Sequence, residues 1–129
     1  MGAAVVTATA SGFGRPRNCY APDDSTVAIK LTGEFISLLR METKVSPYAL
    51  TVAMVRVLLW GEIRHAGALM VRLPVEDVEV ILDGMERIAA REDGPRQKDL
   101  RDRIRTLKGR ITAQGWTITR VGDEHLLTR

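Results

Sequence analysis

The sequence predicts an α+β domain: a mostly helical single domain over residues 26–129 with an antiparallel helical hairpin, a short N-terminal strand and a C-terminal β-hairpin. Three observations carry that prediction. Residues 26–31, TVAIKL, alternate between two faces. Residues 75–112 hold two apolar stripes of helical period, divided by Asp93-Gly94-Pro95. Residues 116–128 place two short strand-like runs around Gly122-Asp123.

Residues 1–25 are rich in Gly, Ala, Ser, Thr and Pro and end in APDDS. That composition predicts a flexible N-terminal segment, in which AAVVTATA is a candidate edge strand. In the next stretch Val27, Ile29 and Leu31 share one face and Thr26, Ala28 and Lys30 the other, the period of a half-buried strand. Thr32 is placed to cap a helix over residues 33–42, with Leu31 and Ile36 at staple spacing. Its apolar face is Phe35, Ile36, Leu38 and Leu39. In KVSPYAL, Ser46 is a natural N-cap and Pro47 a natural first helical residue. The helix that follows, residues 47–64, is apolar nearly all round, which predicts the buried centre of the fold. ALMVRLP supplies a second strand over residues 68–73.

Pro74 opens a helix in which Val78, Ile81, Met85 and Ile88 recur at heptad-like intervals, with acids in the first turn where the helix dipole favours them. After Asp93-Gly94-Pro95, Leu100, Ile104, Leu107 and Ile111 line one face of another. Matched stripes and a short connection predict the helical hairpin. Glu76, Asp77, Glu79 and Asp83 are expected opposite Arg103, Arg105, Lys108 and Arg110. Gly115 ends the last helix. Residues 116–121 and 124–128 are expected to pair about Gly122-Asp123, with glycine first as a type II′ turn requires. The order strand–helix–helix occurs twice, at 26–64 and 68–113, without the residue match of a duplication.

A chain of 129 residues with 45% hydrophobic and 27% charged residues can bury a core without disulfides or metals. Aromatic residues make up only 5%, so that core is expected to be aliphatic. The lone cysteine, Cys19, forms no internal disulfide, and the first residues lack the basic start and apolar run of a signal peptide. Both predict a cytoplasmic protein. The longest apolar run, residues 52–60, is interrupted by Arg56 and is too short to span a bilayer. Residues 73–90 carry one basic and five acidic groups, and residues 91–129 carry ten and six, so an acidic segment precedes a basic one. That sets internal complementarity against a cationic surface for nucleic acid.

No catalytic, cofactor-binding or metal-ligating set is expected. His65 and His125 lie far apart and neither has a carboxylate or cysteine at ligand spacing. His65 is expected near a helix C-terminus and His125 on the surface. SGFGRP lacks the Gly-Lys-Ser/Thr of a phosphate loop. Asp23-Asp24 and Glu92-Asp93 are neighbours in sequence, whereas acid–base pairs converge from separate elements. The basic helix is the stronger candidate: Arg96, Lys98, Arg101, Arg103, Arg105, Lys108 and Arg110 surround its stripe, interrupted by Asp99 and Asp102. Several cations on one surface suit phosphate; a solvated face laced with local ion pairs is the alternative.

Two resemblances bear on that candidate. TVAIKLT, GEFISLLRME and SPYALTVAMVRVLLW follow the strand–helix–turn–helix order of the ribbon-helix-helix DNA-binding proteins, which this stretch resembles. The resemblance implies an intertwined homodimer with its strands in the major groove. Thr26, Ala28 and Lys30 would then face bases, and Ser46 would meet phosphate at a helix start. The C-terminal third, LRDRIRTLKGRITAQGW followed by TITRVGDEHLL, is similar to the end of a winged-helix domain. That implies contacts from Arg101, Arg105, Lys108 and Arg120. The two assign the DNA surface to opposite ends of the chain. The function expected is therefore a small, non-enzymatic, dimeric DNA-binding regulator of transcription without a cofactor. The alternative is a protein-interaction module, an adaptor or inhibitor of a larger protein, without nucleic-acid binding.

Overall fold

The computed structural model describes residues 25–129. The elements run β1 (Thr26–Leu31), α1 (Gly33–Glu42), α2 (Tyr48–Trp60), β2 (Glu62–Ile63), β3 (Leu69–Pro74), α3 (Val75–Ala90), α4 (Gly94–Thr112), β4 (Thr117–Val121) and β5 (Glu124–Thr128). The fold is α+β, with its strands in two small antiparallel sheets. The expectations for the flexible segment, Cys19 and the candidate edge strand lie outside the described residues.

β1 forms because its β-branched and aliphatic residues alternate. Val27, Ile29 and Leu31 are buried, while Lys30 is exposed. It pairs antiparallel with β3, from Thr26 opposite Pro74 to Leu31 opposite Leu69, in a sheet of order β1-β3-β2. The outer edge of β1 is occupied at its middle. The Gln114 side-chain carbonyl accepts from the Ala28 N–H at 2.9 Å, and its NH₂ donates to the Ala28 carbonyl at 2.6 Å. One side chain from beyond α4 thus plays the part of a neighbouring strand.

Thr32 caps α1 by accepting from the Phe35 N–H at 3.3 Å. Phe35, Ile36 and Leu39 are buried, and Leu38 is partly buried against them. α2 departs from expectation in two ways. It begins at Tyr48 without a side-chain cap, because the Ser46 hydroxyl is used elsewhere. It also stops at Trp60, short of residue 64. Gly61 turns extended, and a Cβ there would lie 2.6 Å from the Val57 carbonyl oxygen, so only glycine fits this exit. β2 and β3 then make a hairpin around His65–Gly67, with Ala66 and Gly67 both at positive φ. His65 therefore opens a single 3-10 turn between β2 and β3, beyond the end of α2.

Both predicted helical stripes are buried: Val78, Ile81, Met85 and Ile88 on α3, and Leu100, Ile104, Leu107 and Ile111 on α4. They join Leu50, Ala53, Met54 and Val57 of α2 and the inner face of the sheet in one aliphatic core. Gly84 lets α3 approach closely, since a Cβ there would sit 3.2 Å from both Leu39 and Leu50. β4 and β5 pair from Thr117–Thr128 to Val121–Glu124, about Gly122 at φ 63°. The hairpin packs on α3, where the Glu79 and Asp83 carboxylates accept from the Leu127 and His125 backbone N–H groups at 2.8 and 2.7 Å.

Candidate interaction surface

α2 buries Leu50, Ala53, Met54 and Val57, and turns its other apolar residues outward. The expectation that it is the buried centre is corrected: its inner half is core and its outer half is surface. Seven of the nine exposed large apolar side chains among the described residues fall between positions 41 and 63. Met41 is 66% exposed, Val45 76%, Tyr48 78% and Ile63 79%; Val55, Leu58 and Leu59 are 47–50% exposed. At that exposure the apolar surface is on the order of several hundred Å², at the upper end of what a monomer carries. A helix that is apolar all round is normally covered all round.

Along this face lies an open groove of about 350 Å³, lined by Tyr48, Thr51, Val52, Val55, Arg56, Leu59 and Trp60. Its one charged lining residue is neutralised from below. Arg56 Nη1 donates to both Asp77 carboxylate oxygens at 2.8 and 2.9 Å, and the guanidinium lies 5.9 Å from the Trp60 ring centre. Asp77 is buried. Burial pushes its carboxyl above the usual aspartate range, against the opposing hydrogen bonds from Arg56. The groove thus presents hydrocarbon with a paired cation at its rim.

The outer face of α4 is built differently. Arg96 and Arg103 both reach Glu34 of α1, at 2.7 and 2.9 Å. Arg101 and Lys108 both hold Glu86 of α3, at 3.0 and 3.3 Å. Lys98 and Arg105 share Asp102 at 3.1 and 2.7 Å, which holds that carboxyl below its ordinary value. Burial opposes ionisation of Glu86, yet the Lys108 and Arg101 cations outweigh it and lower its pKa. The pairing partners differ from those expected. Asp77 serves Arg56, and Glu79 and Asp83 serve β5, so these three are spent before α4 reaches them.

The expected DNA contacts fall on β1, the bend before α2, α4 and β4. Thr26 is 1% exposed, with Arg72 Nη1 3.3 Å from its hydroxyl, so it has no surface to offer a base. Ser46 donates to Glu42 at 2.9 Å and accepts from Arg87 at 2.8 Å. Arg101, Arg105 and Lys108 are in the ion pairs above. Lys30 and Arg120 are exposed with no ion pair among the described residues, but they stand in different sheets. Of the set expected from the winged-helix resemblance, Arg101, Arg105 and Lys108 share α4 at helical spacing and Arg120 lies on β4.

Two features escaped the sequence. Glu42 is buried where α1 ends, bound by Ser46, by Arg87 at 3.0 Å and by Arg91. Burial opposes its ionisation, but these hydrogen bonds prevail and hold its carboxyl below the ordinary range. His125, expected on the surface, is 1% exposed, with Nδ1 2.8 Å from Asp83 and Nε2 without a hydrogen-bond partner among the described residues. The available signal was its place two residues before Leu127, on the inward face of β5. Among the described residues no three His, Cys, Asp or Glu side chains gather to hold a metal ion, and no helix is long and apolar enough to cross a membrane.

No protein-family model, curated protein or solved structure matches this chain.

Proposed function

We infer that this chain is a protein-interaction module: it acts by docking another polypeptide on the outer face of α2, as an adaptor or inhibitor does, without chemistry of its own. The observation that carries this reading is the concentration of exposed aliphatic side chains on one helix and its flanks, around a groove whose only cation is already paired. Exposing such surface to water is unfavourable, and a second chain relieves it. Apolar helix faces and grooves are a recurring mode of peptide recognition. The single cysteine supports a cytoplasmic setting.

The duplex-DNA reading has less support. Its α4 cations Arg101, Arg105 and Lys108 are engaged by acids of the same chain, and phosphate would have to displace those acids before releasing counterions. The test compares two variants of the full chain. Val55→Glu should abolish capture of the partner that the wild type retains, with binding then reproduced from purified components, while Arg105→Ala should leave it intact. The reading is lost if Val55→Glu binds as well as wild type. It is also lost if the wild type shifts duplex DNA with steep salt dependence and Arg105→Ala removes that shift.

A further inference from the structure

We propose that the polypeptide docked on α2 is a second copy of this chain, with the two α2 helices antiparallel about a two-fold axis between Val52 and Val55. This deepens the interaction reading above and rests on it.

The spacing of the outer face is the first argument. Tyr48, Val52, Val55 and Leu59 recur at intervals of four, three and four, the seam that lets one helix lie along another. A two-fold interface is isologous, so residue i meets residue j and j meets i. An axis at the middle of this seam sets Tyr48 of each copy against Leu59 of the other, and Val52 against Val55. The small residues then meet where the helices approach most closely, and the large ones fill the ends.

The flanks supply the second argument. Beyond the start of α2 stand Lys44 and Val45, and beyond its end Glu62 and Ile63; Lys44 and Val45 are exposed, as is Ile63. Antiparallel copies bring the Lys44–Val45 flank of one chain to the Glu62–Ile63 flank of the other at both ends of the contact, where Glu62 already holds Arg64 at 3.3 Å. A parallel pair would instead set Lys44 against Lys44 at one end. The flanks thus favour the antiparallel orientation. The exposed apolar side chains from Met41 to Ile63 together present on the order of several hundred Å², against the ~800 Å² per partner of a standard-size interface.

The test uses Tyr48→Lys and Leu59→Glu in the full chain, read by sedimentation equilibrium over the micromolar range. Both positions are exposed, and helix content by circular dichroism checks that each variant folds. The wild type should associate reversibly to a dimer. Each variant alone should weaken association by about tenfold or more, as the loss of an interface anchor does. An equimolar mixture should recover it, because only the antiparallel arrangement sets the Tyr48→Lys site of one chain against the Leu59→Glu site of the other. A monomeric wild type, a dimer that neither substitution weakens, or a mixture without recovery overturns the proposal. A monomeric wild type whose Val55→Glu variant still loses a different partner would remove the second copy and leave the interaction reading standing.

Discussion

α2 and α4 bury the same kind of residue and expose opposite kinds. Each contributes four core side chains: Leu50, Ala53, Met54 and Val57 from one; Leu100, Ile104, Leu107 and Ile111 from the other. Outward, α4 carries arginines and lysines held by Glu34, Glu86 and Asp102, whereas α2 carries valine, leucine and tyrosine against solvent. Exposed ion pairs contribute little to stability and are screened by salt, so the α4 face is both soluble and uncommitted. The α2 face has no such compensation. The difference teaches that a basic helix can be internally neutralised, while the surface with an unmet requirement lies on the helix that looked most like core.

The widest separation should appear between Ile104→Ala and Leu59→Ala. Ile104, 2% exposed, should cost about 2–5 kcal/mol when truncated. Leu59, at 50%, should change stability by less than about 0.5 kcal/mol when measured at concentrations where the chain is monomeric. Urea midpoints read both, and a comparable loss at Leu59 would place the α2 outer face inside the fold.

Next come two carboxylates whose shifts oppose each other. Glu42, held below its ordinary value, contributes stability that is present above the ordinary glutamate range and lost as pH falls through its own lower value. Asp77, pushed upward by burial, favours folding most at low pH, and that contribution is lost as pH rises through its raised value. Glu42→Gln should cost about 1–2 kcal/mol near neutrality and flatten the acid-side decline of the urea midpoint. Asp77→Asn should steepen that decline, and the reverse order would contradict the assigned shifts. Smaller again is Ala66→Gly. Ala66 is the one described non-glycine residue with positive φ, at 63°, and glycine should stabilise the β2–β3 turn by about 1 kcal/mol. Arg105→Ala should leave the midpoint unchanged and the salt dependence of stability slightly reduced.

Most of the element order is legible because it is written in local chemistry. Thr32 caps through its own hydroxyl, Gly94-Pro95 breaks and restarts a helix, and Gly122-Asp123 turns a hairpin. The end of α2 is not legible in that way. GEIRHAGA contains no proline; its one stop signal is Gly61, and its turn uses Ala66, a residue type that does not announce a left-handed backbone. The site is less legible still. The tyrosine, valines and leucine of the outer seam stand plainly in the sequence, but an all-apolar helix reads as burial until the neighbours that fail to cover it are known. Asp99 pairs locally with Arg96 and Arg103, but their second partner is equally remote, since Glu34 reaches them only after the chain has built α2, the sheet and α3 between.

The amide of Gln114, bound at both ends to Ala28, has a consequence for how the molecule behaves in a crowded solution. A sheet of this size has two rims. β2 is two residues long, and β1 has its central N–H and C=O already taken. Among the described residues, both rims are thus short or interrupted as templates on which foreign chains can stack. Replacing Gln114 with leucine would free both Ala28 groups and should raise aggregation detectable by thioflavin fluorescence.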